Sequence, residues 1–447
     1  MPLSDADRAR LAERRRRLAE MMGDGGVLLL AAAPERLRSG DVHFPFRQDS
    51  DFAHLTGFDE PEAVAVIAPA DARPYALFVR PRDAERARWE GPRSGVEGAM
   101  ADYGAAIAHP IDELETHLPA WLGRAERVWL PLMRDDPLPR RLWDIVRRAH
   151  AGRARSGYGP TAFHDSGDLV HELRLRKDPW EIERIREAIA ITATAHREAM
   201  STVRPGETEW QIEARIDFAF RRAGAVGPAY PSIVASGPHA CVLHHTPRDR
   251  TLAADDLVLI DAGAERDGYC ADITRTFPSG RRFTPAQRDL YEAVLAAQLA
   301  AIAVVRPGAT LEEVHAKAIR VLTEALVHLG LLAGNLDELV ASEAYSRFYM
   351  HRTSHWLGRD VHDVGAYKLG DTPRALEAGM VFTVEPGCYI APEEDSVPAA
   401  FRGLGVRIED DVLVTPSGCE VLSAAIPKHV EEIEGLRAAA APSSRGA

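Results

Sequence analysis

The sequence predicts an α/β protein, in the broad sense that includes α+β, with an N-terminal α/β domain followed by a domain built from a duplicated α/β unit. Three observations carry this. The chain has 447 residues, beyond the roughly 250–300 at which one hydrophobic core stops growing. Its first third alternates apolar strand-like runs with helix-like segments, the pattern of a mixed layered fold. Beyond about residue 173 it repeats itself.

In the first part, the run GVLLLAAA from Gly26 follows the charged stretch ERRRRLAE. It is far shorter than the ~20 residues that span a bilayer, and Pro34, Glu35 and Arg36 follow it without a small-residue cleavage site. It therefore reads as a buried strand. Further strands are expected at 63–69, 75–80 and 127–132, with helices at 111–124 and 138–150, and arginine and glycine dominate 151–160. A long helix should start at Asp178-Pro179-Trp180-Glu181, where Asp178 serves as N-cap, Pro179 suits the first turn and Glu181 closes a capping box. The domains are placed at 1–172 and 173–440.

Within the second domain, VRPGETEWQIEA from Val203 returns as VRPGATLEEVHA from Val305, with six of twelve positions identical. LAADDLVLIDAG from Leu252 is echoed by LEAGMVFTVEPG from Leu376, which sets Asp261 opposite Glu385. The offsets are 102 and 124, so the second copy carries about 22 extra residues. Two echoes in one order point to a duplicated unit, and sites commonly form between such halves.

Each copy delivers carboxylates from apolar strands. Asp261 ends the run LVLI, and Asp272, eleven residues on in ADITRTF, lies across an expected turn on a second strand. In the second copy Glu385 leaves GMVFTVEPG, while strand alternation in GVRIEDDVLV sets Arg407 and Glu409 on one face. Carboxylates so crowded repel unless protons or cations intervene. The segment HRTSHWLGRDVHD adds His351, His355 and His362. Its first two histidines are four apart, but the Glu that a zinc-protease helix needs is absent, and Trp356-Leu357-Gly358 reads as strand or loop. An oxygen-rich set with at least one imidazole suits two divalent cations, Mn²⁺ foremost, with Co²⁺, Fe²⁺ or Zn²⁺ as alternatives, and the implied reaction is metal-assisted hydrolysis.

Taken singly, Asp261, Asp272 or Glu409 reads as a turn residue, a cap or a salt-bridged strand end, and the repeat is what favours the ligand reading. His244 and His245 in VLHHTP read equally as surface-loop histidines, Asp410 and Asp411 as solvated or capping residues, and Arg407 as an orienting partner beside Glu409. Lys+Arg 54 against Asp+Glu 67 leaves a net charge of −13, which disfavours nucleic acid and anionic membrane as partners. Four separated cysteines with no C-x-x-C pair suggest neither disulfides nor a thiolate metal site, so a cytoplasmic setting is expected.

Asp261 in LVLIDAG, Asp272 in ADITRTF, His355 in SHWLGRDVHD, Glu385 in TVEPG and Glu409 in RIEDD resemble, in order, the five-ligand dimetal site of the pita-bread metallopeptidases. Their context is similar to the bacterial proline-specific branch, aminopeptidase P or Xaa-Pro aminopeptidase, and RQDSDFAHLTGFDEPEAVAVI from Arg47 resembles that branch's N-terminal domain. The resemblance implies a C-terminal pita-bread domain with a pseudo-two-fold repeat, and cleavage of the Xaa-Pro bond of peptides with proline second, by a metal-bridged hydroxide. It also implies that His244, His351 and His362 bind substrate and stabilise charge, that Glu385 accepts the water's proton, and that Arg407 and Asp51 stand behind the ligands. Trp89 resembles a loop tryptophan that reaches a neighbouring subunit's site, which implies a homodimer or homotetramer. Tyr230, in AYPSIV ahead of His244, is placed beside the proline ring with His244 and His351. Prolidase shares the five ligands, creatinase and dead pita-bread binding modules lose them, and methionine aminopeptidase lacks the large N-terminal domain.

Overall fold

The computed structural model describes residues 2–247 and 249–439. The chain divides into two units, Met1–Arg174 and Leu175–Ala447; residue 440, the expected end of the second domain, lies outside the described residues.

The first unit is a six-stranded mixed sheet of β1 (Gly26–Ala31), β2 (Val64–Ile67), β3 (Tyr75–Val79), β4 (Ile107–Pro110), β5 (Arg127–Leu130) and β6 (Ala162–Asp165), in the order β4-β3-β2-β1-β5-β6. Strand alternation sends Leu28 and Leu30 into one apolar cluster and Val27, Leu29 and Ala31 into another. Both faces of β1 are thus buried, which is why its sequence is apolar throughout. The two strands that the sequence does not announce, β4 and β6, are the sheet edges, and their residues are mostly half-buried. The helix expected over 111–124 is broken into Ile111–Glu113, Leu114–His117 and Pro119–Leu122, because Pro119 brings no N–H and clashes one turn back. The helix expected over 138–150 runs further, from Pro137 to Ser156. Arginine and alanine at 151–155 are strong helix formers, and Gly157 at φ 76° supplies the left-handed stop.

In the second unit the helix Pro179–Thr202 opens with the capping box expected at Asp178 and Glu181. Both copies of the repeated motif prove to be helix starts. Thr208 precedes Glu209–Arg222, with the Gln211 side chain accepting from the Thr208 N–H, and Thr310 precedes Leu311–His328 in a reciprocal box with Glu313. The first copy supplies the sheet β7 (Ile233–Ser236), β8 (Leu257–Asp261) and β9 (Thr274–Pro278), with β8 in the centre. The second supplies β10 (Val381–Val384), β11 (Gly387–Tyr389), β12 (Gly405–Arg407) and β13 (Asp410–Thr415), in which β10 pairs with β13 and β11 with β12. The added length of the second copy includes the helix Leu336–Ala341. Ala-rich Pro285–Ala303 packs its apolar residues into the cores beneath the strands.

Asp410 and Asp411 correct the reading made from sequence: neither is solvated, and both are fully buried. Asp410 accepts from Arg275 at 2.7 Å, Gln298 at 2.7 Å, Ser423 at 2.7 Å and Lys428 at 2.5 Å. Burial raises its pKa, but Arg275 and Lys428 outweigh that and hold the carboxyl well below the usual range. Among the described residues, no helix is long and apolar enough to cross a membrane. The four cysteines are free.

Candidate metal centre

Strand pairing sets the carboxylates two by two. Asp261 closes β8 opposite Thr274, and Asp272 stands two residues ahead of Thr274, so the ribbon brings the two acids together. Gly263 makes the approach possible, since a Cβ there would sit 1.7 Å from the Ala271 carbonyl oxygen. The Tyr230 hydroxyl lies within hydrogen-bonding reach of both carboxylates, and one proton cannot serve two anions. In the second copy β10 pairs with β13 through Val384 and Asp410, so Glu385 and Glu409 flank that rung. The halves are stitched by Thr274, whose carbonyl accepts the Glu409 N–H at 3.1 Å and whose hydroxyl donates to Glu409 Oε2 at 2.6 Å.

His355 stands between the pairs. Its segment is extended, as the sequence suggests, with Trp356 bridging to Phe382 of β10. The His355 Nδ1 faces the Trp356 carbonyl at 3.1 Å, while Nε2 faces Asp272 Oδ2 at 3.3 Å and Glu385 Oε1 at 3.4 Å. A ring whose Nδ1–H is taken by a carbonyl presents the Nε2 lone pair inward. Asp272, His355 and Glu409 offer ligand atoms within 4.8 Å of one another.

The electrostatics show uncompensated negative charge. Burial first, then the neighbouring carboxylates, push Glu409 well above its ordinary value and Glu385 up to about 7; Asp272 is raised by burial and by Asp261. Burial lowers His355, but Asp272 and Glu385 override it and raise the ring to about 9. Four carboxylates with one inward imidazole form a donor set that divalent cations satisfy and that protein cations only partly do.

Arg407 is such a partial remedy. Its guanidinium donates to Asp261 at 2.6 Å, to the Thr274 hydroxyl at 3.2 Å and to the Tyr389 oxygen at 3.0 Å. Tyr389 in turn lies 2.9 Å from His351 Nε2, whose other nitrogen faces the Arg352 carbonyl. Burial, with Arg407 adding to it, lowers His351 to about 4, so the ring is neutral at pH 7. The His362 ring stands edge-on to His355 at 4.4 Å, and burial and His355 together lower its pKa.

Tyr230, His244, Asp261, Asp272, His351, His355, His362, Glu385, Arg407 and Glu409 all line one cavity of about 540 Å³. Trp89 lies in the first unit with 87% of its surface exposed. Asp51, also in that unit, pairs with Arg174 at 2.6 Å and His171 at 3.2 Å. The structure adds Thr274 and Tyr389 to the sequence reading. Thr274 is two residues from Asp272 and so shares its face, a signal present in the alternation. Tyr389 carries no such signal, since Arg407 is brought near it by the pairing of β11 with β12 and His351 comes from a separate segment.

Residues 183–416 match the family model described as metallopeptidase family M24, and residues 11–129 match that of the aminopeptidase P N-terminal domain. The chain is 42% identical over 440 residues to the Xaa-Pro aminopeptidase of Escherichia coli K12, covering 98% of this chain and 99% of that protein. The structure of Pseudomonas aeruginosa aminopeptidase PepP superposes with a TM-score of 0.94 at 48% identity, over 97% of this chain and 98% of that one. Zinc-substituted E. coli aminopeptidase P in complex with product gives a TM-score of 0.93 at 42% identity, over 99% of this chain and 100% of that one.

Proposed function

The chain belongs to metallopeptidase family M24, and from that premise we propose that it is a metal-dependent aminopeptidase releasing the first residue of peptides whose second residue is proline. The observation that carries this is the convergence of two strand pairs on one cavity, which four carboxylates line and where two of them, Asp272 and Glu385, face the inward nitrogen of His355. Asp261, Asp272, His355, Glu385 and Glu409 are the ligands in this reading. Divalent cations held there supply a Lewis acid for the scissile carbonyl and lower the pKa of the attacking water.

The protein's own groups do the rest. Glu385 lies 3.4 Å from His355 and 3.8 Å from His351, where it takes the proton of the attacking water. Arg407 holds Asp261 in place by a direct hydrogen bond and reaches His351 through Tyr389. His244, His351 and His362 bind substrate and donate to the charge that develops on the scissile peptide. The His362→Ala variant is expected to keep its metal yet lose ~10²–10³ in kcat, the usual cost of one such donor. Metal analysis beside kinetics checks this; an effect confined to metal affinity would make His362 a ligand.

Proline removes the N–H from the scissile amide and fixes φ, so the site must recognise the ring itself. Tyr230, His244 and His351 line the cavity that would hold it. Ala-Pro-Ala is expected to be cleaved at least ~10²-fold faster than Ala-Ala-Ala, about 2.7 kcal/mol in transition-state binding. Equal rates on the two tripeptides would sink proline specificity, and faster cleavage of Ala-Pro than Ala-Pro-Ala would favour prolidase.

The same reading makes Mn²⁺ the native ion, because the donors are mostly hard oxygens, and the protein a cytoplasmic homodimer or homotetramer. Exposed Trp89 would then reach a neighbouring subunit's substrate. Metal analysis of protein purified without added ions and sedimentation of wild type against Trp89→Ala test these points.

A further inference from the structure

His244 lines the cavity and is exposed, and among the described residues no hydrogen bond fixes its ring. Its place is therefore set by its backbone, in the stretch between Ser236, the last residue of β7, and Arg250, of which residue 248 lies outside the described residues. That loop is fastened by a group outside the cavity lining. Glu209, at the start of the helix Glu209–Arg222, is fully buried. Its Oε1 accepts from the Ser236 N–H at 2.7 Å and the Ser236 hydroxyl at 2.8 Å, and the His239 ring nitrogen lies 3.1 Å away. Its Oε2 faces His245 Nε2 at 3.2 Å, and its own backbone N–H donates to the Arg250 carbonyl at 3.1 Å. One residue thus grips the loop at its start, its middle, its end, and at the neighbour of His244. His245 is buried with its Nε2 facing Glu209, while its neighbour His244 is exposed; both line the cavity.

We infer that Glu209 is a positioning residue for the reaction, holding His244 against the substrate through its clamp on Ser236, His239 and His245. The inference rests on the role given to His244 above. A buried carboxylate held by two Ser236 donors and faced by two imidazole nitrogens fixes a loop tightly, since any slip leaves the charge unpaired in a water-poor interior. Glutamine in its place keeps the shape but turns one acceptor into a donor, which then opposes His245 or Ser236.

The test is a double-mutant cycle on the metal-loaded enzyme with Ala-Pro-Ala. Glu209→Gln is expected to keep full metal content and to lose at least about tenfold in kcat/KM, the scale seen when an outer partner of a site residue is removed. His244→Ala is expected to lose more, and the Glu209→Gln loss is expected to shrink to within about twofold in the His244→Ala background. His245→Phe, which keeps a ring but not the nitrogen, repeats the test should Glu209→Gln fold poorly. Additive losses overturn the positioning role and leave the reading of His244 intact. Full activity of His244→Ala overturns both, and metal loss in Glu209→Gln shows that the residue acts on the metal centre instead.

Discussion

Replacing Asp261, Asp272 or Glu409 with alanine is expected to abolish hydrolysis and lower metal content together. Each carboxylate is buried and sits in or beside a strand whose pairing is fixed. On its removal a dication loses both charge compensation and a coordination place. Polarisation by a bound cation accounts for several kcal/mol of transition-state stabilisation, so losing it should cost about three orders of magnitude in rate or more. Removing an acid also relieves the crowding that pushes Glu385 and Glu409 upward. Asp272→Ala and Glu409→Ala should accordingly fold at least as well as the metal-free wild type while failing to catalyse, whereas Asp261→Ala also strands the buried Arg407 and loses stability. Metal analysis and kcat on the same preparations check this, and a variant with both full occupancy and wild-type kcat would show that its residue is not a ligand.

Much of this centre is legible in the sequence because its parts obey short-range rules. Asp261 and Glu385 end apolar runs, Asp272 and Thr274 alternate on one face, and the repeat pairs one copy's acids with the other's. The capping boxes at Asp178 and Thr310 are equally local. What the sequence hides is fixed by partners far along the chain. Asp410 is 135 residues from Arg275, so adjacency to Glu409 and Asp411 suggests a solvated acidic run until the fold supplies the cations. The same holds for Tyr389, and for His245, which reads as a loop histidine until Glu209, 36 residues away, is seen to bury it. Edge strands β4 and β6 escape detection for a related reason, since half-buried residues lack an apolar signature.

The Arg275→Met variant is expected to lose about 3–5 kcal/mol of stability, the cost of breaking a buried ion pair by removing one partner. Arg275 and Asp410 are both fully buried and meet at 2.7 Å. The guanidinium also donates to the carbonyls of Thr274 at 3.0 Å, Glu409 at 2.5 Å, Ile426 at 3.1 Å and Pro427 at 3.1 Å. Methionine fills similar volume but leaves those acceptors bare, and each unsatisfied buried group adds its own penalty. Lys428 still neutralises Asp410 at 2.5 Å, which keeps the loss within that range rather than beyond it. The Glu409 carbonyl is freed as well, so the ligand carboxylate on that residue should wander and metal affinity should fall alongside stability. Changing both partners separates the terms. In Arg275→Met with Asp410→Leu neither member of that pair is stranded, although Lys428 loses its partner, so the double variant should be less destabilised than the two single losses summed. Denaturant unfolding of the metal-loaded proteins reads this out. If Arg275→Met costs less than about 1 kcal/mol, the pair is not what holds the two strand sets together.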